Sequence, residues 1–165
     1  SLGHGRSYAW AMRWLAIFSI LLCCLVLAPV THAAEGRIIK VLPQLLDLKG
    51  RNSLSPSLYD RDAYQMQLRN HPKQVSTLRF NVEWKAKVPK TEELKLRVEL
   101  RGAVLEKKAK EAMVEKVLTE RYRLNHWTTV DLTEAAYKEF GEVTAWRVTL
   151  WHDNQMISEQ KSFLW

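Results

Sequence analysis

Cysteine is nearly absent from this 165-residue chain, and its two copies, Cys23 and Cys24, stand side by side in one apolar run. The rest of the sequence therefore has no residue that could form a disulfide, bind a metal through a thiolate or act as a thiol nucleophile. Only six glycines occur, and none of them forms a loop of the kind that cradles a phosphate. These absences exclude a disulfide scaffold and every thiol-based enzyme class.

Motifs for metal binding and hydrolysis are also missing. The three histidines beyond residue 33, His71, His126 and His152, lie at no metal-ligand spacing from one another, and no H-E-x-x-H pair exists. No G-x-S-x-G nucleophile elbow is present either. The pair His152-Asp153 could hold an ion only if a further ligand approached in space. We therefore predict a non-catalytic protein with no metal and no cofactor.

The first 33 residues have the three parts of a secretory signal peptide. Arg13 precedes an uncharged apolar run over residues 15–30, and the small residues Thr31 and Ala33 follow it. A membrane-spanning helix needs about 20 apolar residues, and this run is shorter. We predict a signal peptide over residues 1–33, in which the residues before Met12 are an upstream extension. Retention as an anchor and lipidation at one of the cysteines are the alternatives.

Loss of the predicted signal peptide changes the charge and leaves one domain. Residues 1–33 contain two arginines and no acid, so 25 basic residues become 23 against 18 acidic ones, and the net charge falls from +7 to +5. That charge is spread along the chain, which is unlike a nucleic-acid-binding surface. Residues 34–165 have the length of a single domain. We expect an exported protein of the periplasm or extracellular space that meets the membrane only through its signal peptide.

Apolar and polar residues alternate in several segments, which indicates half-buried strands. Residues 78–87 and 94–101 show this pattern, and the polar stretch between them predicts a hairpin. Residues 144–151 alternate too, and Asp153-Asn154 predicts a tight turn into a final strand. Residues 106–118 fit either a strand or a helix, and their strand-like neighbours favour the strand.

The start of the predicted domain is less regular. Its first strand changes apolar phase near Pro43, which predicts a kink at the proline. Ile39 and Val41 precede the change, and Leu46 and Leu48 follow it. A helix or a partly helical loop is predicted next, with Ser55 as its N-cap, Pro56 at its first helical position and Pro72 beyond its end. Tyr59, Ala63 and Met66 fall on one face of that helix. Residues 133–142 predict a second, short helical turn closed by Gly141.

Seven or so short strands separated by turns predict a mainly β fold, an antiparallel β-sandwich with one short helical insertion after the first strand. With its proline-containing first strand, Trp84 on an early core strand and its final hairpin over residues 145–165, the chain resembles exported bacterial immunoglobulin-like or fibronectin-III-like domains. It departs from antibody-type domains because it lacks their paired cysteines. The resemblance implies a fold and transfers no activity.

The tryptophans supply the candidate binding surface. Trp84 and Trp146 fall in apolar phases and are predicted core residues, whereas Trp151 is out of phase and is expected to face outward. Such a ring offers apolar area with a polar handle to a sugar or to a protein side chain; the alternative is that another part of the chain covers it. The candidate binding residues are Trp151, Arg147, His152 and Trp127.

The leading functional expectation is a binding or structural module of the cell envelope that contacts a protein partner or itself. The alternative is a carbohydrate-binding module that uses an outward tryptophan, and no nucleic-acid partner is expected. The closing stretch E-Q-K-S-F-L-W allows three interpretations, which are core packing, a barrel sorting signal and a contact surface. Charges at every second position before Phe163 disfavour the sorting signal. We expect Phe163 and Trp165 to plug one end of the core.

Overall fold

The computed structural model describes residues 35–89, 92–102, 110–119 and 124–165. The predicted signal peptide, both cysteines and the first part of the uncertain 106–118 segment lie outside these residues. Neither helix in the described ranges is long and apolar enough to cross a membrane. The elements in chain order are β1 (Glu35–Asp47), α1 (Leu58–Asn70), a 3-10 turn (Pro72–Gln74), β2 (Val75–Lys87), β3 (Leu94–Gly102), β4 (Glu111–Val117), β5 (His126–Leu132), α2 (Glu134–Phe140), β6 (Val143–His152) and β7 (Gln155–Lys161).

The described strands form two antiparallel sheets. One has three strands in the order β1-β2-β5, and the other has four in the order β4-β3-β6-β7. Buried side chains from both sheets belong to one hydrophobic cluster, as in a sandwich of two packed layers. The predicted mainly β sandwich of about seven strands, with a helix after the first strand, is confirmed.

The core follows the predicted alternation in β2 and β3. Phe80, Val82 and Trp84 of β2 are almost completely buried, as are alternate residues of β3. Burial of each such side chain stabilises the fold by about 1.5–3 kcal/mol. The indole Nε1 of Trp84 donates to Oγ1 of Thr128 at 2.8 Å, so its one polar atom is satisfied. Phe80 meets Trp146 of the facing sheet edge-on, with ring centroids 6.1 Å apart.

The predicted hairpin between β2 and β3 is wrong. β2 pairs with β1 and β5, whereas β3 pairs with β4 and β6 in the other sheet. The chain after Lys87 therefore passes from one sheet to the other. Alternation shows which face of a strand is buried, but it carries no information about which strand lies beside it.

The irregularity of β1 lies elsewhere than predicted. Its register against β2 shifts between Ile38 and Lys40 and again between Leu46 and Asp47, whereas Pro43 pairs in register with Phe80. β1 is an edge strand, where a residue without an N–H costs no ladder hydrogen bond. The first shift explains why Ile38 is buried instead of the predicted Ile39.

The helix after β1 buries a face other than the one that carries Tyr59, Ala63 and Met66. Its N-cap is Ser57 instead of Ser55, and the Ser57 hydroxyl accepts from Asp60 N at 3.4 Å. The buried residues are Tyr64, Gln65 and Leu68, whereas Tyr59 is 82% exposed. Tyr64 and Gln65 form hydrogen bonds to β1 through their polar atoms. A pattern of apolar residues therefore does not mark this face as buried.

Three other local predictions are confirmed. Within the uncertain segment, residues 111–117 are strand β4. Helix α2 ends at Gly141, whose φ of +84° suits a residue without a side chain. The β6–β7 hairpin turns through Asp153, which has a φ of +49° in the left-handed region.

Candidate functional site

Two of the four predicted binding residues lie on the outer face of the four-stranded sheet. The antiparallel register aligns β3 with β6 so that outward side chains stand opposite one another. The opposed pairs that form this surface are Lys95 with Trp151, Arg97 with Thr149, and Glu99 with Arg147. The sheet thus brings together cations, a carboxylate and an indole that are about 50 residues apart in sequence.

Trp151 faces outward, as predicted, but it is half-buried because its neighbours cover it. The Arg97 guanidinium lies 4.4 Å from the ring centroid, a distance at which a cation is attracted to the ring face. The indole Nε1 donates to Oγ1 of Thr149 at 2.8 Å, and Thr149 itself is buried. One ring face and the polar handle of Trp151 are therefore already occupied within the protein.

Arg147 is held by a two-point contact with Glu99. Its Nε and terminal nitrogen donate to the two carboxylate oxygens at 2.8 and 2.9 Å, the bidentate geometry that makes such pairs strong. The hydrogen bonds that Arg147 donates to Glu99 raise the pKa of Arg147 above its usual value. Arg147 also lies 4.9 Å from the ring centroid of Trp165, which connects this surface to the last residues of the sequence.

Residues 162–165, which we call the 162–165 turn, are anchored to the sheet by their two ends. Ser162 N donates to Trp146 O at 2.9 Å, and Trp146 N donates to the Ser162 hydroxyl at 3.0 Å. Trp165 N donates to Ser162 O at 3.2 Å, which closes the turn, and the Trp165 side chain supplies the second anchor. The Trp165 ring has Arg101 at 4.0 Å and Arg147 at 4.9 Å from its centroid.

Between these anchors the turn presents two apolar side chains to solvent. Phe163 is fully exposed and Leu164 is 70% exposed. The prediction that Phe163 plugs the core is therefore wrong, and Trp165 stacks on arginines at the surface instead of entering the core. The physical reason is that β7 ends at Lys161, so the inward phase of the strand does not continue to residue 163.

His152 lies apart from Trp151 and Arg147, at the end of β6. Its Nε2 pairs with Glu92, and the possible ligand atoms of Glu92, His152 and Asp153 all lie within 4.8 Å of one another. These are donor types that zinc accepts. However, Oδ1 of Asp153 accepts from Glu93 N at 2.8 Å, so the group already ties the β6–β7 turn to the start of β3. The sequence could not show Glu92 because it comes from a different loop.

Trp127 lies on the other sheet. It stands on β5 opposite Glu83 of β2 and is 46% exposed. Asn125 donates to the Glu83 carboxylate at 3.0 Å beside it. The four predicted residues therefore occupy three places, and only Trp151 and Arg147 share a surface.

The most strongly perturbed carboxyl of the described residues is structural. Burial alone would raise the pKa of Asp47, but hydrogen bonds from Arg51 N, the Tyr64 hydroxyl, the Arg51 guanidinium and Lys49 N together hold it well below its usual range. The Tyr64 hydroxyl donates at 2.7 Å. Asp47 thus joins the end of β1 to helix α1, and nothing in its surroundings suggests a bound substrate.

Comparisons of the chain with protein-family models, with curated proteins and with solved structures found no match.

Proposed function

We propose that this chain is a non-catalytic binding module of the cell envelope, exported by its predicted signal peptide, and that it contacts a protein partner through the 162–165 turn. The observation that carries the proposal is the exposure of Phe163 and Leu164, two adjacent large apolar side chains on an anchored turn. Adjacent exposed apolar side chains of this kind mark interaction sites more often than single ones do. In protein interfaces, a few large side chains that the partner buries supply most of the binding energy.

The anchors of the turn favour binding because they reduce the entropy lost on association. The two hydrogen bonds between Ser162 and Trp146 and the stacking of Trp165 on two guanidiniums tie the turn to the four-stranded sheet. A partner therefore does not have to order a flexible segment, which would cost part of the interaction energy.

The charges near the turn indicate the chemistry of the partner. Arg101 and Lys161 are exposed, and their carboxylate neighbours lie 3.5 and 3.8 Å away, distances at which exposed pairs contribute little. Both cations can therefore attract an acidic partner. A second copy of this chain, with a net charge of +5 after signal removal, would meet like charge, so charge favours a different protein with an apolar pocket and an acidic rim.

A matched pair of double variants tests the proposal. Phe163→Ala with Leu164→Ala removes the proposed anchor, and Leu58→Ala with Tyr59→Ala removes two comparably exposed side chains from helix α1. We expect the first variant to bind the partner captured from native envelopes about 30-fold more weakly, which corresponds to about 2 kcal/mol. The control should bind like the wild type, and both should melt at the wild-type temperature.

Two results would count against the proposal. One is equal affinity of both double variants for the captured partner, which would place the interface elsewhere. The other is a wild-type protein that retains no partner, or that self-associates in sedimentation experiments through the same two residues, which would make a second copy the occupant.

Carbohydrate binding is the second candidate, and Trp127 is the observation that favours it. Its ring is nearly half exposed beside Glu83 and Asn125, so an apolar plane and hydrogen-bonding groups are adjacent. Trp151, the ring expected from the sequence, is the weaker candidate because Arg97 covers one face. A glycan array followed by titration tests this function. Binding that Trp127→Ala abolishes and Trp151→Ala leaves intact supports it, and an array without any response contradicts it.

A further inference from the structure

A cavity of about 950 Å³ opens between the two sheets, on the side where β1 and α1 face the start of β6. Its volume is at the upper end of the range, about 300–1,000 Å³, that is usual for small-molecule sites. Most of its deep wall is apolar or aromatic. The residues that form this wall are Leu45, Leu78 and Phe80 from the three-stranded sheet, and Tyr137, Val143 and Trp146 from the opposite side.

The cavity exists because β1 contacts the four-stranded sheet along only part of its length. Near its start β1 touches β7, where Ile38 N donates to the Ser158 hydroxyl at 3.0 Å. Farther along, the backbone of Leu45 is bonded to the Gln65 side chain of α1 instead. The two sheets are therefore in contact near the start of β1 and separate near its end, and the cavity is the space between them there.

The mouth of the cavity carries an excess of positive charge. Arg69, Lys73 and Lys138 line it, and Glu142 is the one acidic residue among the described lining residues. Lys138 pairs with Glu134, but within the described part of the chain neither Arg69 nor Lys73 has a carboxylate at ion-pair distance. The carbonyl groups in the last turn of each helix carry a partial negative charge near the mouth. The full positive charges of Arg69, Lys73 and Lys138 are larger, so the net charge at the mouth stays positive.

We infer that this cavity binds an amphipathic anion, with its apolar body against the wall that contains Phe80 and Trp146 and its carboxylate or phosphate head at Arg69 and Lys73. The apolar wall favours the body because it removes apolar surface from water. The two unpaired cations favour the head because each can donate charge-assisted hydrogen bonds to an anionic oxygen. Ser162 of the 162–165 turn lines the cavity, but Phe163 and Leu164 do not, so the proposed ligand and the proposed partner contact different side chains.

Isothermal titration with three probes of equal chain length tests the inference. Decanoate and decyl phosphate carry the two possible anionic heads, and decyltrimethylammonium carries the same chain with a cationic head. We expect saturable binding of at least one anion and at least tenfold weaker binding of the cation. Whichever anion binds more tightly identifies the head group. Equal binding of anions and cation, or no binding of any probe, would overturn the inference.

Two variants of equal charge locate the head. Arg69→Gln with Lys73→Gln removes both mouth cations, whereas Lys85→Gln with Lys87→Gln removes two exposed lysines of β2 that do not line the cavity. We expect the first pair to weaken anion binding about tenfold or more and the second to leave it unchanged. Equal affinities in the two variants would contradict the assignment.

A third variant locates the apolar body. Val143→Phe places a larger side chain in the cavity and should abolish binding of all probes. Because this substitution could unfold the protein, its melting curve is recorded with that of the wild type, and decanoate should raise the melting temperature of the wild type. A folded Val143→Phe protein that still binds decanoate with wild-type affinity would exclude the cavity as the site.

Discussion

Gln65 carries the sharpest stability prediction because its side chain completes the hydrogen bonding of an edge strand. Its Oε1 accepts from Leu45 N at 2.8 Å, and its Nε2 donates to Leu45 O and Asn52 O, each at 2.8 Å. The amide thus behaves as one residue of an additional strand beside β1. An exposed strand edge is a site for unwanted pairing, and helix α1 covers this one with a polar side chain.

The Gln65→Ala substitution removes partners from three backbone groups. A buried polar group left without a partner costs about 1–3 kcal/mol, but water from the adjoining cavity can reach part of this site. We therefore expect a total loss of about 2–4 kcal/mol in the free energy of unfolding. Gln65→Glu should cost at least as much, because an acceptor would then face Leu45 O and Asn52 O.

Urea unfolding followed by far-ultraviolet circular dichroism measures this loss. Gln67→Ala, an exposed position on the same helix, serves as the control for helix propensity and should change stability by less than about 0.5 kcal/mol. A Gln65→Ala protein as stable as Gln67→Ala would refute the idea that this amide seals the edge of β1.

Three further predictions concern Asp47, Trp165 and Asp153. Because the folded-state pKa of Asp47 is lowered, its contribution to stability is complete above the unfolded value of 3.8 and declines as the pH falls toward the folded value. The difference in urea stability between wild type and Asp47→Asn, about 3 kcal/mol at neutral pH, should therefore narrow below pH 3.8; a constant difference would contradict the hydrogen-bonded carboxylate. Trp165→Ala should remove stacking worth about 1 kcal/mol and speed amide exchange in the 162–165 turn, and unchanged exchange would show that the stack does not hold the turn. Asp153→Ala should lower stability by about 1–2 kcal/mol, because it loses the bond to Glu93 and strains a left-handed residue, whereas Asp153→Gly should lose less; equal melting temperatures would argue against the strain.

Local patterns in the sequence predict much of this fold because burial in a strand repeats every two residues. The inward positions of β2 around Phe80 and Val82, and the turn at Asp153, follow from such patterns alone. Pairing depends on distant parts of the chain, and for that reason the predicted β2–β3 hairpin is wrong. The buried face of α1 depends on Gln65 and Tyr64, whose polar contacts give no apolar signal.

The candidate site shows the same division. That Trp151 faces outward follows from its phase on β6, but its stacking on Arg97 depends on the register between two strands. The exposure of Phe163 depends on where β7 ends, and continuing the alternation past Lys161 places it in the core. Cross-strand neighbours and strand ends are set by tertiary structure, so a single sequence does not reveal them.

Photocrosslinking from position 163 tests most directly whether the 162–165 turn is the contact surface. A benzoylphenylalanine placed there in the full chain, expressed in its native cell, reacts with whatever lies against the turn. We predict one discrete protein adduct, which Leu164→Ala weakens and which the same probe at position 59 does not form. No adduct at position 163, or the same adducts from both positions, would contradict the proposed function.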